Sequence, residues 1–189
     1  VIGGGNNILF TRRFDGTLIH PVGKKITVKC EDDNTLLVEA EAGVDWDEFV
    51  RWTVERGAWG AENLSLIPGT VGAAPVQNNG AYGAEAKDII SVVHYYDTLL
   101  KEHRSLTKAE CRFAYRDSIF KGELRGRAII TSVEFCLDKS AKPLLHYGSL
   151  QADVEARGGV TLKNIREVVC LTRQSKLPDT NVLGNAGSF

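Results

Sequence analysis

The chain has 189 residues, 43% hydrophobic and 25% charged, with 23 Lys and Arg against 24 Asp and Glu for a formal net charge of -1. This length can bury a sizeable core, and the composition is that of an ordinary globular chain. The balanced charge excludes the electrostatic footprint of a nucleic-acid or membrane-surface protein, and no apolar run approaches the roughly 20 residues that cross a bilayer.

Val1-Ile2 reads as the end of a strand that runs into a glycine turn and Ile8-Leu9-Phe10. Residues 17–20 and 26–30 have short-strand patterns, and residues 36–42 alternate as a half-buried strand ending at Gly43. The period then changes to 3.6. Asp45 is an N-cap with Glu48 as capping-box partner, Trp46, Phe49, Val50 and Val54 share a face, and Gly57 is a C′ stop. Residues 60–85 are too rich in glycine, proline and amides for regular structure and predict turns with close backbone approaches. Residues 89–96 and 128–137 are β-branched and aromatic strands, separated by a polar connection. Lys139 to Pro143 reads as a linker. Beyond it, Ile165, Val168, Val169 and Thr172 mark a helix capped by Thr161 and stopped at Leu177-Pro178. The class is α+β, with domains at 1–138 and 139–189.

The four cysteines, Cys30, Cys111, Cys136 and Cys170, have no CxxC spacing. They sit in apolar or strand-like runs and read as reduced thiols acting as small hydrophobes, which fits a cytoplasmic protein. His20, His94, His103 and His146 lack metal-ligand spacing, so no metal site is expected. The chain contains no methionine, and it opens and closes in glycine turns. Both features predict truncation at both ends.

Three segments suggest chemistry. Gly3-Gly4-Gly5-Asn6-Asn7 can turn successive N–H groups toward an anion; a pyrophosphate is one candidate and a tight surface turn the other. The segment does not continue as a GxGxxG fingerprint. Ile67 to Pro75 is built almost wholly of small residues, and Gln77 to Gly83 adds amides and an aromatic ring. Together they suit a flat, polar-edged cofactor ring or, alternatively, an irregular packed loop. Tyr115-Arg116-Asp117-Ser118 offers an arginine that can grip a carboxylate or form a surface ion pair. Tyr147, Arg173 and Lys176 are weaker signals, because basic residues in a last helical turn also complement the helix dipole.

Taken in order, Gly3 to Leu9, Gly60 to Ser65, Ile67 to Pro75, Gln77 to Gly83, Tyr115 to Ser118 and Gly184 to Ser188 resemble the UDP-N-acetylenolpyruvoylglucosamine reductase (MurB) family. The resemblance covers nearly the whole chain and is closest to the longer form of the family, which carries a tyrosine loop. It implies an FAD-binding domain of the vanillyl-alcohol-oxidase (PCMH) type plus the start of a separate α+β substrate domain. It implies FAD as cofactor and NADPH as hydride donor. Hydride passes from reduced FAD to C3 of UDP-N-acetylglucosamine enolpyruvate, protonation follows at C2, and the product is UDP-N-acetylmuramate, a peptidoglycan precursor. Arg116 matches the arginine that stabilises developing negative charge, and Ser188 the proton donor. Gly3, Gly4, Gly5, Asn6 and Asn7 match one FAD loop; Pro68, Gly69, Thr70, Val71 and Gly72 match another. Tyr147, Arg173 and Lys176 match positions near the UDP-sugar. Asn6 departs from the family's usual Ser, and the family's catalytic glutamate falls downstream of Phe189. A monomer that binds small molecules is the default, and a flavin-binding remnant without turnover is the alternative.

Overall fold

The computed structural model describes residues 1–178 and 182. The regular elements are β1 (Ile26–Glu31), β2 (Thr35–Glu41), α1 (Trp46–Glu55), β3 (Gly80–Ala81), β4 (Ala84–Glu85), α2 (Ala86–Ile89), β5 (Ile90–Asp97), β6 (Glu102–Thr107), β7 (Ala128–Asp138), α3 (Leu150–Glu155) and α4 (Leu162–Lys176). Single 3-10 turns form at Glu62–Leu64 and Val71–Ala73. Five strands make one antiparallel sheet in the order β1-β2-β7-β5-β6, and β3 and β4 form a separate two-residue ladder. The mixed content is the α+β class expected from the sequence.

The strand alternation decides which face of the sheet is covered. Leu36, Val38 and Ala40 of β2 point inward with Val133, Phe135 and Leu137 of β7. α1 closes over them. Asp45 accepts the Glu48 N–H at 3.0 Å as the N-cap, an interaction worth about 1 kcal/mol. Gly57 takes φ 69° just past the helix, as its stop role requires. Trp46 and Phe49 meet Phe135 with ring centroids 6.1 and 4.3 Å apart, and the Trp46 indole N–H donates to the Leu64 carbonyl at 2.9 Å. The outward face is polar. There Lys29 Nζ lies 2.9 Å from Glu39, Ser132 Oγ donates to Glu39 at 2.6 Å, and His94 Nε2 lies 3.0 Å from Glu134.

A second apolar cluster joins Leu150 and Val154 of α3 to Ile165, Val168 and Val169 of α4, with Trp59, Tyr82 and Leu145 packed against it. Thr161 caps α4 by accepting the Asn164 N–H at 3.1 Å.

Several local expectations are corrected. Residues 1–2 and 17–20 are not strands; the Ile2 N–H donates to the Ile19 carbonyl at 2.9 Å, but no ladder extends from that bond. Leu18 and Ile19 remain 49% and 42% exposed, so nothing buries them as a sheet would. β6 and α3 went unpredicted. β6 reads as polar because it is an edge strand with nearly every residue exposed. Of the four cysteines only Cys111 is buried, its thiol pushed up to about 12 by burial; Cys170 is half-buried, and Cys30 and Cys136 are exposed on the outward face of the sheet.

Candidate active site

The segment after β2 fixes the first wall. Residues 68–72 run antiparallel to the turn between β2 and α1. The Trp46 N–H donates to the Gly69 carbonyl (3.1 Å), the Val71 N–H to Val44 (2.8 Å) and the Gly72 N–H to Ala42 (3.0 Å). That contact has no room for a side chain at Gly72: a Cβ there would stand 2.6 Å from Ala42 Cβ and 3.1 Å from Ala42 O. Gly69 takes φ 130°, a conformation open to glycine and strained for other residues.

The opening glycine turn lies directly on this wall. A Cβ on Gly3 would meet Thr70 Oγ1 at 2.9 Å and Ala73 Cβ at 3.3 Å, and one on Gly4 would lie 3.5 Å from Gly69 Cα. Between the two loops is a cavity of about 420 Å³, lined by both loops, by Ala42 and Val76, and on its far side by Phe120, Leu124 and Ile130. Among the described residues, no protein acceptor takes the backbone N–H groups of Gly3 to Asn7, Gly69 or Thr70. Side-chain amides extend the rim: Asn7 Nδ2 donates to Gln77 Oε1 at 3.1 Å, and Gln77 Nε2 to Asn79 Oδ1 at 2.9 Å. Unclaimed donors beside close-packed glycines suit a diphosphate. The apolar far wall suits a flat ring. On both counts these residues fit FAD. The two loops that the resemblance assigned to FAD, 65 positions apart in sequence, are thus brought together.

A second group of predicted residues gathers about the β3–β4 hairpin. Arg116 Nη2 donates to the Gly80 carbonyl at 2.9 Å. It sits in a tight turn where the Ala114 and Asp117 backbones exchange hydrogen bonds, at φ 54°, uncommon for a non-glycine residue. Its side chain is exposed, so the guanidinium is held on one edge and open on the other. The hairpin tip carries Tyr82, whose ring packs edge-to-face on Tyr147 at 5.5 Å. Burial raises the Tyr82 pKa above the ordinary phenol value, and the nearby Arg173 only partly offsets this. Arg173, half-buried at the end of α4, donates Nε to the Leu66 carbonyl at 3.2 Å. Burial lowers its pKa from the usual guanidinium value. Lys176 is exposed one turn further along. Ser188 lies outside the described residues.

Two buried polar groups in this region escaped the sequence reading. Asn63, 1% exposed, donates its amide to the Tyr82 and Leu144 carbonyls, both at 2.8 Å. Glu62, 2% exposed, accepts the Gly60 N–H at 2.6 Å, and burial lifts its carboxyl above the ordinary range. Asn63 carries no local mark because its partners come from the hairpin and the 139–147 connection; Glu62 bonds only two residues back, and what the sequence does not show is its burial. Among the described residues no helix is long and apolar enough to cross a membrane, and no three His, Cys, Asp or Glu side chains form a metal-binding group.

The sequence family described as FAD binding domain matches residues 1–104. The whole chain is 49% identical to the UDP-N-acetylenolpyruvoylglucosamine reductase of Shewanella baltica (strain OS195) and covers 54% of that protein. It is 50% identical to the reductase of the same name from Neisseria meningitidis serogroup C (strain 053442), over 55% of its length, and 46% identical to that of Bacteroides fragilis (strain YCH46), over 56%. The chain therefore spans about half the length of the curated relatives it matches. The crystal structure of UDP-N-acetylenolpyruvylglucosamine reductase (MurB) from Thermus caldophilus superposes with a TM-score of 0.57. The match covers 79% of this chain and 46% of that one at 23% identity, and shows a shared fold.

Proposed function

Because the chain belongs to the FAD binding domain family, we propose that it is the flavin-holding part, with the start of the substrate part, of an NADPH-dependent reductase. The reductase converts UDP-N-acetylglucosamine enolpyruvate to UDP-N-acetylmuramate for peptidoglycan synthesis in the cytoplasm. The observation that carries this reading is the meeting of the Gly3 to Asn7 and Pro68 to Gly72 loops on one cavity, where the N–H groups of Gly3 to Asn7, Gly69 and Thr70 have no protein acceptor among the described residues. Near 50% identity along the whole chain to reductases of that name supports the choice of substrate. The two apolar clusters support a division near residue 138.

In this reading Gly3 to Asn7 and Pro68 to Gly72 bind FAD, which when bound supplies the two-electron carrier between NADPH and substrate. Addition of hydride at C3 leaves negative charge on C2 and the adjoining carboxylate. Arg116, braced by the Gly80 carbonyl with its open edge outward, lowers the energy of that charge where it develops. Ser188 donates a proton to C2. Tyr147, Arg173 and Lys176 hold the UDP-sugar. Arg173 is anchored through Nε, which leaves its terminal nitrogens for phosphate oxygens.

The test is a visible spectrum of the purified chain after incubation with FAD and gel filtration. Retained flavin absorbance that bleaches with anaerobic NADPH and returns on adding UDP-N-acetylglucosamine enolpyruvate supports the proposal. Retained flavin with no response to either reagent favours a binding remnant. No retained flavin overturns the assignment of the cavity.

A further inference from the structure

Leu66 is the hinge into the Pro68 to Gly72 loop, and its backbone is in the left-handed region at φ 57°. A branched apolar side chain rarely takes that conformation, and it persists only where neighbours over-determine it. Here they do so on both sides. The Leu66 N–H donates to Asp47 Oδ1 at 2.6 Å, and its carbonyl accepts from Arg173 Nε at 3.2 Å. Asp47 is itself gripped by the Arg166 guanidinium through two bonds of 2.7 Å, one to each carboxylate oxygen. Burial pushes the Asp47 carboxyl upward, but the Arg166 fork and the Leu66 N–H together outweigh it and hold it below the usual range. Trp46, the residue before Asp47, bonds the carbonyls of Leu64 and Gly69 on either side of Leu66. Arg166 and Arg173 are two turns apart on α4 and reach Leu66 by different routes, Arg166 through Asp47 and Arg173 through the Leu66 carbonyl itself.

We propose that Asp47 is a positioning residue: it holds Leu66 left-handed, so aims the Pro68 to Gly72 loop at the cavity, and ties that loop to α4 through Arg166. The inference rests on reading that cavity as the flavin site. It assigns a role to a side chain that touches neither cavity loop directly, and it makes the loop responsive to the helix that carries Arg173. Asp47→Ala removes both attachments. Asp47→Asn keeps an oxygen that can accept the Leu66 N–H while losing the charge that holds Arg166. Arg166→Met leaves the Leu66 bond and removes only the tie to α4.

The experiment measures amide hydrogen exchange in the ligand-free chain and FAD affinity in parallel for the wild type and these three variants. In Asp47→Ala, exchange at the hydrogen-bonded Leu66, Val71 and Gly72 amides is expected to accelerate about 100-fold while the β2 and β7 amides keep their protection. FAD binding is expected to weaken about tenfold. Asp47→Asn and Arg166→Met should each retain most of the Leu66 protection. Unchanged exchange at Leu66 in Asp47→Ala overturns the proposal, as does an Asp47→Asn variant as loosened as Asp47→Ala. If Asp47→Ala fails to fold, the proposal stands or falls on Asp47→Asn keeping Leu66 protected. A loosened loop with unchanged FAD affinity overturns the link to the flavin. A wild-type chain that binds no FAD refutes the flavin reading instead, and the exchange result still decides whether Asp47 positions Leu66.

Discussion

Replacing Asn63 by Ala removes a buried amide that joins three segments. Both its N–H bonds are 2.8 Å long, one to the Tyr82 carbonyl in the β3–β4 hairpin and one to Leu144 in the connection leading to α3. Each lost bond costs about 1 kcal/mol net, rising to roughly 1–3 kcal/mol where the abandoned carbonyl stays dry. Leu144 is 36% exposed, so water can reach its side of the gap. Asn63 Oδ1 is buried without a protein partner among the described residues, and deleting that oxygen offsets part of the loss. The balance is about 2–3 kcal/mol of destabilisation, which for a chain of this size lowers Tm by roughly 4–12 °C. Calorimetry on the wild type and Asn63→Ala, with urea unfolding as a second probe, measures this. A Tm drop smaller than about 2 °C would refute the reasoning, because it would mean that water replaces both bonds without penalty. The Tyr82–Tyr147 ring contact should loosen with the hairpin, and the UDP-sugar KM should rise more than kcat falls.

Gly72→Ala forces a Cβ into the Ala42 main chain; the overpacking should cost about 1–3 kcal/mol and weaken FAD binding, measured by urea midpoint and flavin titration, and an undisturbed FAD affinity would count against the loop assignment. Asp97, bonded by Arg127 and by the Leu99 and Leu100 N–H groups, has its carboxyl lowered from 3.8 to about 2. Its stabilising contribution is present above the unfolded value of about 3.9 and is lost as pH falls through 2. Urea midpoints should therefore fall from pH 5 to pH 2, and less steeply in Asp97→Asn; equal slopes would contradict this. Asp138, lowered to about 2 by Lys142 and Ser140, contributes in the same direction and remains in that variant. Arg116→Ala should reduce substrate-dependent NADPH oxidation by about 100-fold or more and leave FAD absorbance intact; an unchanged rate would remove Arg116 from the chemistry.

The sequence alone determined the elements whose signals are short-range. α1 was legible from Asp45, its apolar face and Gly57, and α4 from Thr161 and Leu177-Pro178, because caps and periodicity act within a few residues. The inward alternation of β2 and the strands β5 and β7 followed from the same local patterning. The glycine loops were visible as segments that regular structure cannot use. Long-range packing set the rest: Gly3 lies against Thr70, Arg116 leans on Gly80, and Asn63, Asp47 and Arg166 tie distant segments together. It also decided that residues 17–20 form no strand and that polar β6 does, since strand formation depends on an available neighbour as much as on side-chain type. Those outcomes rest on contacts between residues tens to more than a hundred positions apart, where packing and hydrogen-bond satisfaction select the partner and no local pattern can specify it.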